Sequence, residues 1–129
     1  MAQGSCLCGA IRFEVSGALP DPIACHCTMC RKFTGHYLVS CEVAKRDLLI
    51  EDETSVGWYA SSAKVKRGFC PKCGSTLFFD PPHLDWIAIA MGAFDGPTGA
   101  AIEKHIFVAD KGDYYELTDG LPQEFAPPK

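Results

Sequence analysis

Cys25-His26-Cys27-Thr28-Met29-Cys30 places three thiols within six positions. Three thiolates on one zinc ion leave a coordination position free, and a free position is where an incoming group can react. A second set, Cys6-Leu7-Cys8 with Cys70-Pro71-Lys72-Cys73, supplies four sulfurs, enough to fill a tetrahedron and close it. The spacing therefore separates a candidate catalytic trio (Cys25, Cys27 and Cys30, holding a second, labile zinc) from a candidate structural zinc cage (Cys6, Cys8, Cys70 and Cys73).

The trio sits in a loop that leads into a short helix, with Arg31 and Lys32 close by. A helix N-terminus and neighbouring cations both favour thiolate over thiol, and thiolates are good zinc ligands and good nucleophiles. Three thiolates also donate much charge to a metal. Its water is then a weaker acid than in a three-histidine site, and capture of an incoming thiolate suits the site better than hydrolysis. Two alternatives stay open at this level. One is a fourth ligand, His36 or His26, that closes the site; His26 lies between two ligands and is expected to point away from them. The other is a metal-free reactive trio. Cys41, on an alternating stretch, is read as a small buried hydrophobe.

The cage has a different logic. Each pair is trailed by a glycine, Gly9 or Gly74, which lets the backbone turn its N–H groups toward the sulfurs. Structural zinc supplies roughly 10–16 kcal/mol of folding free energy in small peptides, against about 5–15 kcal/mol for a whole domain. Chelation is expected to unfold the chain. A redox role for Cys70 and Cys73 would need a βαβ setting, and the sequence offers none.

Composition narrows the class. A chain of 129 residues with 47% hydrophobic and 22% charged residues reads as one globular domain, 1–129, with a loosely held tail over 122–129. A formal net charge of −4 argues against nucleic acid as a partner. The basic cluster Lys64-Val65-Lys66-Arg67 is read as one solvated strand edge. No apolar run approaches the roughly 20 residues of a membrane span, so no membrane partner is expected. Met1-Ala2-Gln3-Gly4-Ser5-Cys6 shows no basic-then-apolar signal, which makes a cytoplasmic location the expectation. In a reducing compartment eight cysteines point to metal or catalysis before disulfides. Cys-x-Cys neighbours are also poor disulfide partners.

The elements that must position these thiols are mostly strands. Ile11, Phe13 and Val15 alternate with polar residues, and further strands are expected over Tyr37–Val43, Leu48–Ile50, Gly57–Ala60, Ala63–Phe69, Thr76–Phe79, Trp86–Met91 and His105–Ala109, with a short edge at Tyr114–Leu117. The Ala63–Phe69 and Thr76–Phe79 runs form a hairpin whose turn is the Cys70 metal clip. One helix of about two turns is expected from near Thr28 to before Gly35. The fold class is mainly β, with small antiparallel sheets joined by turns and one short helix.

Gly4-Ser5-Cys6-Leu7-Cys8-Gly9-Ala10-Ile11-Arg12-Phe13, Cys25 through Gly35, and Phe69-Cys70-Pro71-Lys72-Cys73-Gly74-Ser75-Thr76-Leu77 together resemble the glutathione-dependent formaldehyde-activating family, which also contains centromere protein V. A weaker likeness joins His105-Ile106-Phe107-Val108 and Gly120-Leu121-Pro122-Gln123. The resemblance implies small curved sheets of the β-tent type, a structural zinc at Cys6, Cys8, Cys70 and Cys73, and a catalytic zinc at Cys25, Cys27 and Cys30. It also implies a zinc-dependent carbon–sulfur lyase acting on a thiol adduct such as S-hydroxymethylglutathione, with glutathione as co-substrate. His36 and Tyr37 follow Gly35 where the family commonly has a small residue, and Tyr114-Tyr115 stands where a Trp is frequent. Both departures bear on the substrate and leave the ligands untouched.

An anionic thiol substrate needs counter-charges, for which Arg31, Lys32, His36 and Arg67 are the candidate glutathione contacts. Two other classes fit the same residues: a non-catalytic zinc-braced binding module, and a thiol or metal sensor whose trio loses zinc on oxidation. The acidic balance disfavours a chromatin role. Sequence alone leaves the oligomeric state open.

Overall fold

The computed structural model describes residues 1–126, and two sheets organise them. A three-stranded sheet is built from β1 (Ala2–Ser5), β2 (Arg12–Val15) and β5 (Leu48–Ile50), all antiparallel with β2 in the middle. The other sheet has seven strands. Its sequence members are β3 (Ile23–Cys25), β4 (Leu38–Ala44), β6 (Gly57–Ala60), β7 (Lys66–Phe69), β8 (Thr76–Asp80), β9 (Trp86–Ala90) and β10 (Lys104–Ile106), and its spatial order is β10-β3-β4-β9-β8-β7-β6. One helix, α1 (Thr28–Thr34), follows β3.

Register divides the large sheet into two working faces, because side chains alternate along every strand. Gly68, Phe78, Ile89 and Cys41 form one cross-strand row. That row points at the small sheet, where Ile11, Phe13 and Val15 complete the core. Phe13 meets Phe78 edge to face at 5.4 Å and Phe94 at 5.6 Å. Burying each such side chain stabilises the fold by about 1.5–3 kcal/mol. Gly68 has no room to grow, since a Cβ there would stand 2.9 Å from both Phe78 and Trp58. Cys41 is fully buried in this row, consistent with its reading as a hydrophobe. The opposite row, Arg67, Phe79, Ala88 and Glu42, faces the cysteine trio.

Several expectations are corrected. The mainly β class with one short helix is as expected, but the larger sheet has seven strands and one parallel pair, β10 with β3. The Ala63–Phe69 strand shortens to Lys66–Phe69, because Ser61 and Ser62 both donate their N–H to the Val65 carbonyl and close a turn. The His105–Ala109 run ends at Ile106, where Phe107 adopts a left-handed conformation (φ 55°) and a short 3₁₀ turn follows. Tyr114–Leu117 forms no strand. The Lys64–Arg67 cluster is not a solvated edge, since β7 is paired on both sides and Arg67 is buried. The tail is held through residue 125: Gln123 bridges His105, Glu124 N–H donates to the His105 carbonyl, and Ala109 N–H donates to the Phe125 carbonyl. The rest of the expected tail, 127–129, lies outside the described residues. No described helix is long and apolar enough to cross a membrane.

Candidate metal centre

Cys6 and Cys8 lie in the turn after β1, and Cys70 and Cys73 in the turn between β7 and β8. The two turns meet, and all four sulfurs lie within 4.8 Å of one another. Cys6 Sγ is 3.7 Å from Cys8 Sγ, which is 3.8 Å from Cys70 Sγ. Four sulfurs at a zinc–sulfur distance of about 2.3 Å span tetrahedral edges of about 3.8 Å, so this group fits zinc. Backbone donors support the sulfurs: Ile11 N–H reaches Cys6 at 3.2 Å and Cys73 N–H reaches Cys70 at 3.5 Å. Gly9 and Gly74 make these turns with φ of +80°, a conformation that costs a side-chain-bearing residue about 1–2 kcal/mol. Leu7 N–H donates to Ser75 Oγ and ties one turn to the other.

The trio is assembled differently. Cys25 ends β3, Cys27 caps α1 and Cys30 lies in its first turn, where the Cys30 N–H donates to Cys27 Sγ at 3.4 Å. The three sulfurs lie within 4.8 Å of one another, and no fourth His, Cys, Asp or Glu joins them among the described residues. Hydrogen bonds from Cys25 and Cys30 hold the Cys27 thiol down at about 2, aided by its approach to Arg67. The same sharing raises Cys25, first through its bond to Cys27. For Cys30 the bond with Cys25 pulls downward, but donation to Cys27 and burial outweigh it, and the net shift is upward. The three sulfurs thus share hydrogen bonds that favour negative charge at Cys27 over the other two.

Arg67 is the charged partner of this group. It is only 4% exposed, its Nη1 is 3.6 Å from Cys30 Sγ, and its Nε donates to Ser61 Oγ at 3.2 Å. Its guanidinium lies over the rings of Phe33 (5.4 Å) and Phe79 (5.0 Å). It makes no ion pair with a carboxylate among the described residues. A buried cation without a counter-ion is costly. Ionised, the Cys30 sulfur beside the Arg67 Nη1 supplies negative charge. Three thiolates with a divalent cation carry one net negative charge, which Arg67 neutralises. The residues present therefore fit a zinc ion held at Cys25, Cys27 and Cys30.

A cavity of about 260 Å³ opens beside the trio. Cys25, Cys27, Cys30 and Arg67 line it together with Phe79, Trp86 and Ala88 of the large sheet. Of the four cations singled out from sequence, Arg67 is in this lining. Arg31 instead donates to the Asp110 carbonyl, Lys32 is exposed, and His36 Nδ1 is 2.8 Å from the Tyr114 hydroxyl.

His26 points away from the trio, as alternation requires. It is fully buried, with Nε2 2.9 Å from His105 Nδ1, whose Nε2 is 2.7 Å from Asp119. The Tyr115 hydroxyl completes the chain at 2.6 Å from His26 Nδ1. Because Asp119 can only accept, the proton order is set: Tyr115 donates to His26, His26 to His105, and His105 to Asp119. Burial holds the His26 pKa down at about 4, and the bond from His105 holds Asp119 below the usual carboxylate range. Sequence reasoning missed this chain. Its one local signal is the placement of His26 between two ligands; the partners come from elements 79 and 89 residues away.

The description of the family "Glutathione-dependent formaldehyde-activating enzyme" matches residues 1–110, and the chain belongs to that family. An uncharacterised lyase of Schizosaccharomyces pombe is 29% identical over 124 residues, covering 91% of this chain and 85% of the relative. A Halomonas elongata protein, provisionally named a glutathione-dependent formaldehyde-activating enzyme, is 28% identical over 127 residues, with 91% and 81% covered. A crystal structure of a Rhodobacter sphaeroides protein shares the fold, with a TM-score of 0.62 at 22% identity over 74% of this chain and 89% of that one. The family and the lyase-named relative support an enzyme role, and the two cysteine groups could hold zinc.

Proposed function

We propose that the chain is a zinc-dependent carbon–sulfur lyase-type enzyme that makes and breaks an adduct between a thiol, glutathione, and an aldehyde, S-hydroxymethylglutathione being the family's example. The observation that carries this reading is the convergence of Cys25, Cys27 and Cys30 on one edge of a cavity, with the buried Arg67 behind them. Zinc held by those three cysteines would supply a Lewis acid with one open position.

The chain's own residues do the rest. Arg67 balances the negative charge of the sulfurs and fixes Cys30. The cavity holds the carbonyl compound against the incoming sulfur and limits water, which raises effective concentration by orders of magnitude when the geometry is right. Arg31 and Lys32, in the last turn of α1, and His36 just beyond it offer contacts for the glutathione carboxylates outside the cavity. Cys6, Cys8, Cys70 and Cys73 would hold a second, structural zinc and take no part in the reaction.

The test is exchange spectroscopy by proton NMR on the zinc-loaded protein with formaldehyde and glutathione. The wild-type chain should accelerate interconversion of free and adducted glutathione, and Cys27→Ser should remove at least about 99% of that acceleration. A folded Cys27→Ser protein that retains it rules the reading out in favour of a binding module.

A further inference from the structure

We infer that the carbonyl partner is an apolar aldehyde, arylalkyl or branched aliphatic, with up to about ten non-hydrogen atoms, rather than formaldehyde; this rests on the proposed lyase reading. The cavity is the ground for it. Strand alternation brings Ile23, Leu38, Phe79, Trp86 and Ile106 to the space beside the sulfurs, with Phe107 at the end of β10. Trp86 and Phe79 stack, with ring centroids 6.0 Å apart and 11° between their planes, and both rings border the space. The small Ala88 leaves space beside them, since it sits between Phe79 and Glu42 in the same cross-strand row.

Size points the same way. A cavity of 150 Å³ takes benzene, so at that scale about 260 Å³ takes roughly ten non-hydrogen atoms. Formaldehyde would leave nearly all of this surface uncovered, and the glutathione tripeptide is too large to enter whole. The polar groups that do line the space, the trio and Arg67 with Ser40 and Glu42, suit a reacting C–O–S centre. The remaining wall suits an apolar substituent.

The reaction balances without a redox partner. The thiol sulfur bonds to the carbonyl carbon, the C=O π electrons move to oxygen, and oxygen takes the proton the thiol gives up. The reverse step breaks the C–S bond and returns that proton to sulfur.

The test compares phenylacetaldehyde with formaldehyde, each with glutathione, on the zinc-loaded protein by the same NMR exchange method. Phenylacetaldehyde should be favoured in kcat/KM by about tenfold or more, the usual discrimination of an apolar pocket. Ala88→Leu, and Ser40→Leu from the neighbouring strand should Ala88→Leu fail to fold, should lower that ratio by at least about tenfold. Independently of turnover, 2-phenylethanol should shift the methyl resonances of Ile23, Ala88 and Ile106 saturably. Equal or better use of formaldehyde overturns the inference and leaves the lyase reading standing. No acceleration with either aldehyde overturns the lyase reading, and the inference falls with it. A folded cavity-filling variant with an unchanged ratio, or an absence of methyl shifts, overturns the inference alone.

Discussion

The two cysteine groups use the same ligand type in opposite surroundings. The four-cysteine group joins two turns at the end of the hairpins, and its sulfurs are saturated by one another and by backbone N–H donors. Cys8 stands exposed, and the space beside Cys6 is lined in part by Ser5, Ser75, Thr76 and Asp95. The three-cysteine group sits where a strand turns into a helix, beside a buried guanidinium and an apolar space. The number of sulfurs matters less than what replaces the missing one. In the first group a fourth thiol closes the shell; in the second that position is left to the cavity. On the proposed reading, the same ligand chemistry would brace the fold at one end and serve the reaction at the other.

That contrast is broken most sharply at the brace. Cys70→Ser should abolish folding, because the zinc contribution of roughly 10–16 kcal/mol equals or exceeds the whole stability of a typical domain. Circular dichroism and metal content checks this, and a native spectrum with one zinc fewer would show that the brace is dispensable. Cys27→Ser should differ in kind: activity is lost, while the melting temperature falls by no more than about 5 °C, the scale of a change near 1 kcal/mol in a chain of this size.

Arg67→Met tests whether the open group needs its cation. Removing a charged hydrogen-bond partner is worth about 1.5–3 kcal/mol, so zinc affinity at the trio should fall roughly ten- to hundredfold in a chelator competition, with the four-cysteine zinc retained. Loss of both zincs together would mean that the two groups are not independent.

Acid provides a smaller effect. His26 is neutral in the fold with its pKa near 4, below the usual 6.5, so the unfolded chain binds more protons between those values. Its contribution is complete above pH 6.5 and is lost as pH falls toward 4, by roughly 3 kcal/mol. Thermal melts of wild type and His26→Gln at pH 7 and pH 5 should show the steeper decline in wild type; equal slopes would remove His26 from the account. Arg31→Ala should change stability by less than about 0.5 kcal/mol, since its bond to the Asp110 carbonyl is exposed.

Local signals carried the parts of the site that are local. Cys27 caps α1 and Gly35 ends it, so the helix was legible from residue types, as were Leu48–Ile50 and Gly57–Ala60. The cysteine sets were legible because sulfur is scarce and its spacing is specific. Ala2–Ser5 carries almost no β signal and becomes a strand only through pairing with β2. Ile23–Cys25 is too short to stand out and is fixed by neighbours on both sides. Arg67 was misplaced on the surface because its cover is tertiary: Phe33 comes from α1, and Phe79 meets it only through the hairpin register. The His26–His105–Asp119 chain was hidden for the same reason.

The segment from Pro122 to Phe125 runs along the outermost strand of the large sheet and occupies the main-chain donors and acceptors that β10 would otherwise present to solvent. An uncovered strand of that kind is a template for another chain. The pairing of Pro122 to Phe125 thus shields the edge of β10. Shortening the chain at Asp110 would uncover that edge, and the truncated protein should self-associate in sedimentation; a monomer would show that the segment is not needed there.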